Sequence, residues 1–319
     1  MSRPAAAVAE APPPPRLGDA PARRREEAPP GEPRRVGYLY ALPAFVLVAL
    51  FVLAPLLHSF WISLFQWDGI TAGTWVGLRN YKDVVSDPDV RKAFGHALVL
   101  ILFYAGLPTV IGLLLAGAVA RARVRGLTAF RTIIFLPQVI AMVVVAVMWR
   151  MIYAPDGPIN SALRSIGLGG LAQDWLGSFT LALPAVGLIG TWVMFGLTFV
   201  LYTAGVQKIP QSLYDAARVD GDGAVREFFA VTLPGLRPEI AVGLTLTTIN
   251  ALRNFDLVYV TTSGGPGDST SVPAFLVYDG AFRSGTVGMA SAIGLSLAAV
   301  IFLISLLINR TAERGTARA

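Results

Sequence analysis

Cysteine is absent from the 319-residue chain, which rules out a disulfide framework and thiolate chemistry and leaves the compartment open. Charge is scarce too: 14% of residues are Asp, Glu, Lys or Arg, against about 25% in soluble domains. Histidine occurs only at His58 and His96, with no HExxH or Cys/His spacing around either. Both read as interfacial side chains rather than metal ligands. No GxxxxGK[ST] stretch occurs, so the chain has no P-loop for nucleotide phosphates. Asp215, Asp220 and Asp222 are close in sequence, but a helical turn and a glycine leave them solvated, with no reason to share a metal. The absences together describe a chain that is not an enzyme and holds no metal or cofactor of its own.

What the chain has in excess is apolar surface: 54% of its residues are hydrophobic and its mean hydropathy is +0.60. Runs of about 20 apolar residues are long enough to cross a bilayer as helices. Five stand at roughly 38–65, 94–120, 129–151, 180–206 and 285–309. A sixth, at about 239–262, is weaker because it contains Arg253, Asn254 and Asp256. The expected fold is an all-α membrane protein with six transmembrane helices over residues 36–310. Prolines at 43, 55, 108, 137 and 184 fall inside the runs, where neighbouring groups re-satisfy the backbone. Residues 1–35, rich in Pro, Ala, Arg and Glu, read as a disordered tail. Its Arg23, Arg24, Arg25, Arg34 and Arg35 either meet anionic lipid or simply help set orientation. Residues 311–319 form a second tail. The net charge of +6 lies in tails and short loops, which argues against a nucleic-acid face. With the N-terminus inside, inner segments hold 18 Lys and Arg and outer segments 7, so both termini are expected in the cytoplasm.

Between two apolar runs lies a polar stretch, residues 208–238. It reads as a short helix after Pro210, a left-handed stop at Gly221, Asp222 as cap of a second helix, and an end before Leu233-Pro234. Tyr214 and Asp220 belong to the same stretch. Ala216 and Ala217 leave room for a groove wall to approach. Asp215-Ala216-Ala217, Gly221 after three residues and Val231-Thr232-Leu233-Pro234 after nine more resemble the EAA loop of the membrane-spanning subunits of binding-protein-dependent ABC importers, with Asp215 where that family carries Glu and Val231 where it carries Ile. The resemblance implies that 208–238 is a cytoplasmic coupling helix docking on an ATP-hydrolysing subunit.

Two further stretches resemble the carbohydrate permeases of that family, Trp149–Asn160 and residues 252–270, the latter with Thr262, Gly264-Gly265-Pro266 and a following Thr. The resemblance implies a bacterial plasma-membrane permease subunit. It would pair with a second permease in a heterodimer and with two ATP-binding subunits that use ATP and Mg. It would receive a carbohydrate from an extracytoplasmic solute-binding protein docked at loops such as 152–179 and 263–284. On the residues themselves, the polar side chains inside the runs are the substrate-pathway candidates, because polar groups in hydrocarbon are costly. They are Thr191 and Thr198 on one helix, with Gly190, Met194 and Phe195 beside them for close approach and ring stacking, and Thr247, Asn250 and Asn254, three or four apart, on another. Helix–helix packing explains small and hydroxylated residues equally. Arg253 and Asp256 are placed to pair. The alternative is an ion-coupled secondary transporter of a small polar solute, which more often carries intramembrane carboxylates.

Overall fold

The computed structural model describes residues 34–121 and 126–316; the 1–35 tail, except its last two residues, lies outside them, as do residues 317–319. Among the described residues the only β pairing is a two-residue antiparallel hairpin, and nearly everything else is helical. Packing separates residues 1–55 from residues 56–319. In the first unit α1 (Arg34–Val48) passes into a π turn at Ala49–Leu53. Its large apolar side chains from Tyr38 to Leu53 are exposed, the surface of a helix whose solvent is lipid.

The second unit begins within α2 (Ala54–Ile62) and continues through β1 (Phe65–Gln66) and β2 (Thr74–Trp75) to α3 (Arg79–Ser86). In the hairpin turn Asp68 accepts the N–H groups of Ile70 and Thr71 and the Thr71 hydroxyl, and these bonds hold its carboxyl below the ordinary value. Asp87 then caps α4 (Pro88–Ile101), accepting the N–H of Asp89 at 2.8 Å with Pro88 at the first turn. α4 leads through a π turn at Leu102–Gly106 into α5 (Leu107–Arg121). There follow α6 (Leu127–Val139), α7 (Met142–Tyr153), α8 (Pro158–Ser165) and α9 (Ala182–Val206). The polar loop supplies α10 (Gln211–Val219), α11 (Ala224–Glu227) and α12 (Leu233–Gly235), and the chain closes with α13 (Arg237–Leu252), α14 (Asp256–Thr261), α15 (Pro273–Phe282) and α16 (Val287–Thr316).

Among the described residues four helices are long and apolar enough to cross a membrane: Tyr38–Ile62, Pro88–Ala120, Ala182–Val206 and Val287–Ala312. A fifth crossing arises if α6 and the helical stretch from Met142, which meet at 94°, form one broken span. The sixth expected run is interrupted. α13 stops at Leu252, residues 253–255 leave the helix and α14 restarts at Asp256. Arg253 and Asn254 favour such a break: an amide competes with the backbone for its own hydrogen bonds, and a cation in hydrocarbon seeks a polar outlet. The last helix also runs on to Thr316, past the tail boundary expected at 311.

Three π turns, Ala49–Leu53, Leu102–Gly106 and Phe228–Thr232, each end two residues before a proline: Pro55, Pro108 and Pro234. Proline has no N–H, and its ring presses on the carbonyl of the preceding turn. Widening that turn relieves the clash without ending the helix. At Leu102–Gly106 the Leu107 N–H reaches back to the Leu102 carbonyl. The next bond in that register would join residue 108 to Phe103, and Pro108 cannot donate it. Instead the Thr191 hydroxyl donates to the Phe103 carbonyl at 2.7 Å. α9 thereby closes the gap that proline opens. The main apolar core, with Leu100, Tyr104, Val145, Ile189, Met194 and Leu257 at its centre, lies among these helices.

Candidate functional site: a polar loop and a helix break

The loop at 208–238 is held together by its own side chains. α10 follows Pro210, and Gly221 turns the chain at φ +82°, a conformation that disfavours any residue with a Cβ. The cap of α11 is Gly223, not Asp222 as the sequence suggests. The Asp222 carboxylate instead pairs with Arg226 at 2.9 Å. Nor does the second helix stop before Leu233-Pro234. The π turn at Phe228–Thr232 absorbs the proline and lets helix continue to Gly235. Across the loop Arg218 donates to Glu227 at 3.1 Å, with Glu227 only 1% exposed, and the Tyr214 and Thr232 hydroxyls lie 3.2 Å apart. Several contacts link the loop to the long helices: the Phe228 ring lies against Gly117 of α5, the buried Leu236 packs in one cluster with Ala116, Tyr202 and Val206, and Lys208 pairs with Glu239 of α13 at 2.9 Å.

Asp215, Ala216, Asp220 and Gly221 are exposed on this loop, as are the apolar side chains of Leu213, Val219, Val225 and Phe229, while Ala217 is buried. Asp215 is steadied by Gln211 at 3.3 Å and by Arg218 at 3.7 Å. Leu233 and Pro234 are half-buried. The sequence picks out this surface from glycine, proline and alanine. It does not pick out the Arg218–Glu227 pair or the seat of Phe228 on Gly117, which join residues nine or more apart.

The second region is the break after α13. A cavity of about 280 Å³ opens there, lined by Tyr104, Met142, Asn250, Arg253, Asn254, Phe255 and Asp256. Asn254 is 7% exposed, yet its Nδ2 has no hydrogen-bond partner, and neither does the buried Tyr104 hydroxyl. Buried donors left unpaired are rare, each at a cost of about 1–3 kcal/mol. Among the described residues no ion pair joins Arg253 to Asp256; both face the cavity instead. A larger cavity of about 610 Å³ beside the hairpin, lined by Asp68, Arg79 and Asp83 among others, shares no residue with the break. The smaller cavity is the stronger candidate, because it interrupts an apolar helix and contains unpaired buried donors.

The remaining pathway candidates divide. The Thr191 and Thr198 hydroxyls are bonded to the Phe103 and Pro108 carbonyls, each at 2.7 Å, so both tie α9 to the proline-widened turn and α5. A Cβ at Gly190 would collide with the Tyr104 ring, so this glycine makes room for an aromatic ring. Met194 is core. Phe195 lines a separate apolar pocket with Ile133 and Trp192. Thr247 is buried and donates to the Gly243 carbonyl at 2.8 Å. Asn250 is exposed, with Nδ2 bonded to the Leu246 carbonyl at 2.8 Å and its side chain on the cavity wall. Only Asn250 and Asn254 of the eight therefore reach the cavity. Tyr104, missed in the sequence, had a signal: a phenol within an apolar run needs a polar partner or a purpose.

The turn bearing Gly264, Gly265 and Pro266 follows α14 and is laced by its threonines. Thr262 and Thr270 share a 2.7 Å bond and Thr270 donates to the Gly265 carbonyl at 2.8 Å. Gly264 adopts φ +85°. His96 of α4 bonds the Ser271 carbonyl at 2.8 Å through Nδ1, a structural use consistent with its place at a helix edge.

With this geometry in hand, comparison with known proteins is informative. The description "binding-protein-dependent transport system inner membrane component" matches residues 108–314. The chain is 36% identical over 281 residues to a probable ABC transporter permease, YurN, of Bacillus subtilis, covering 86% of this chain and 93% of that protein. It is 34% identical to the trehalose/maltose transport system permease MalF of Thermococcus litoralis, covering 82% and 88%. The fold superimposes with a TM-score of 0.74 on a bacterial alginate ABC transporter solved in complex with an alginate pentasaccharide-bound periplasmic protein, at 24% identity and covering 88% and 96%. A membrane bundle with this polar loop and this helix break thus belongs to the binding-protein-dependent transport system inner membrane components, as a permease subunit of an ABC transporter.

Proposed function

We propose that this permease carries a carbohydrate inward, and that residues 208–238 are the cytoplasmic lever through which a separate ATPase drives it. The observation that carries the reading is the pairing of an internally braced polar loop at one end of α13 with an open, under-bonded cavity at the other. Relatives named for trehalose and maltose, for multiple sugars and for lactose support the solute class. The cavity suits it chemically. A sugar is apolar on its ring faces and polar at its rim, and the wall mixes Tyr104, Phe255 and Met142 with Asn250, Asn254 and Arg253.

In this reading six segments cross the membrane, the third crossing, of α6 and α7, being bent and the fifth, of α13 and α14, broken. The 18-to-7 bias of Lys and Arg puts both termini and the loop inside. A second permease completes the pathway, since 280 Å³ is small beside the roughly 300–1,000 Å³ of ligand pockets. One of two ATP-binding subunits docks on the exposed Asp215-Ala216 and Gly221 surface, the other on the second permease, and a binding protein docks at the far end around 263–284. ATP and Mg act only in those partners. The rigid loop transmits its displacement through Phe228 to α5 and through Lys208–Glu239 to α13, which shifts the helices that frame the cavity.

Because the chain lacks cysteine, one introduced at Ala216 reports its own side of the membrane. The expected result is labelling by an impermeant maleimide only after permeabilisation, with a soluble ATPase recovered alongside the solubilised permease. Labelling in intact cells overturns the reading.

A further inference from the structure

The cavity at the helix break has an open side and a closed one. Arg253 and Asp256 on its wall are exposed, whereas Asn254 is 7% and Tyr104 1% exposed. The unpaired groups on the closed side, the Asn254 Nδ2 and the Tyr104 hydroxyl, both have protons to give. A third source lies at Met142, on the same wall. α7 begins there with Ala141 as its cap, which has no side-chain oxygen to meet the first N–H groups. Such a helix start carries roughly half a positive charge. Tyr104 is placed here at a cost. It stands in the π turn Leu102–Gly106, and its ring fills a notch that exists because residue 190 is glycine. Phenylalanine would fill the notch equally well without burying an unpaired hydroxyl, which costs about 1–3 kcal/mol. The widened turn and the glycine together bring a polar group, not merely a ring, to the cavity.

We propose that the closed side of this cavity is a subsite for an anionic group, a carboxylate or a phosphate ester, carried by the imported saccharide. The inference rests on the carbohydrate reading given above and narrows its solute class. A neutral sugar hydroxyl brings a proton that needs an acceptor, and the unpaired groups on this side are donors. An anionic oxygen needs donors alone, and its charge makes each bond roughly twice as strong. The start of α7 adds positive potential, as helix N-termini do at anion sites. Arg253 adds a full positive charge on the open side. Asp256 does not cancel it by pairing: among the described residues no ion pair joins the two, and Asp256 stands in the first turn of α14, where a carboxylate is matched by that helix's own N-terminal charge.

The test uses the complete importer, with its own partner permease, ATPase and binding protein, reconstituted in liposomes. The probes are malto-, cello- and xylo-oligosaccharides in matched forms: neutral, with one uronic acid unit, and with one phosphate ester. Uptake is read by mass spectrometry. The wild-type importer is expected to take up at least one anionic form about tenfold faster than its neutral counterpart. Preference for the uronic acid assigns the subsite to a carboxylate, and preference for the ester assigns it to a phosphate. Tyr104→Phe, which removes only the unpaired hydroxyl, lowers uptake of the preferred anionic form about tenfold and that of the neutral form about twofold or less. Its melting temperature in detergent stays at or above that of wild type. Neutral forms taken up as fast as anionic ones by wild type overturn the subsite and leave the carbohydrate reading intact. An anion preference that Tyr104→Phe leaves unchanged also overturns it and moves the selection to the binding protein. An equal loss of both forms, with a lowered melting temperature, overturns it as well and makes Tyr104 a packing residue. Failure of the wild-type importer to take up any saccharide overturns the carbohydrate reading itself.

Discussion

The loop at 208–238 and the break at 253–255 sit at opposite ends of α13 and are built on opposite terms. In the loop, Tyr214, Thr232, Arg218, Glu227, Asp222 and Arg226 are engaged with one another, so three short helices behave as one body. At the break, the Asn254 Nδ2 and the Tyr104 hydroxyl are buried without a hydrogen-bond partner. Paired polar groups make a rigid part; unpaired ones leave donors open to a further partner. A single helix therefore joins a part that must not deform to a part that is incomplete alone, and that contrast is what a machine transmitting force to a binding site requires.

The largest test of the contrast is Gly221→Leu. A Cβ at this position would meet nothing within 4 Å in the chain, so within the chain the cost is the backbone strain at φ +82°, about 1–2 kcal/mol. That is too little to prevent insertion. It is enough to change the angle between α10 and α11, which presents the exposed Asp215 and Ala216. Transport is expected to fall by about a hundredfold or more, and recovery of the ATPase with the permease is expected to fail, while the amount of inserted protein is unchanged. Uptake retained in this variant would show that the loop is only a connector.

A smaller effect with a sharper signature is expected for Asn254→Leu. Removing an unpaired buried amide and replacing it with an apolar group of similar volume leaves stability unchanged or raises it by about 1–2 kcal/mol, read as a thermal shift in detergent. Uptake in the same variant falls by about tenfold or more, because the donor meant for the solute is gone. Stability and uptake falling together would make Asn254 a structural residue and erase the difference between the two regions.

How far the sequence carried this contrast depends on whether the signal was local. Pro210, Gly221 and the Asp215-Ala216-Ala217 run are local signals, and the loop they outline is where the structure has it. Asp222 was misassigned because its partner, Arg226, lies on the next turn and outbids the backbone. The stop at Leu233-Pro234 was misplaced because the rule that proline ends a helix assumes an α turn before it, and here the turn is π. Arg253 and Asn254 marked the weak point of the sixth apolar run, but not that helix would cease there, since that depends on the cavity the other helices leave. The face carrying Thr191 and Thr198, with Gly190 on the neighbouring one, followed from helical spacing. What meets it, the Tyr104 ring and the Phe103 and Pro108 carbonyls, belongs to helices some ninety residues away and has no trace in local pattern.

The smallest expected effect separates packing from pathway on α9 itself. Thr191→Val keeps volume and β-branching, so helix propensity and core packing hold. It removes the hydroxyl that bonds the Phe103 carbonyl at 2.7 Å, the acceptor that Pro108 leaves without a backbone donor. An orphaned carbonyl inside the bundle lowers stability by about 1–2 kcal/mol, whereas Thr191→Ser, which restores the hydroxyl, recovers most of it. Transport by the valine variant should stay within about twofold of wild type at a temperature where both are folded. The sign of the pair is the test. Lost stability with kept transport assigns Thr191 to the braced part of the molecule, together with the loop. Kept stability with lost transport would place its hydroxyl in the solute's path, and the boundary between the braced and the open regions would then run along α9 rather than at the end of α13.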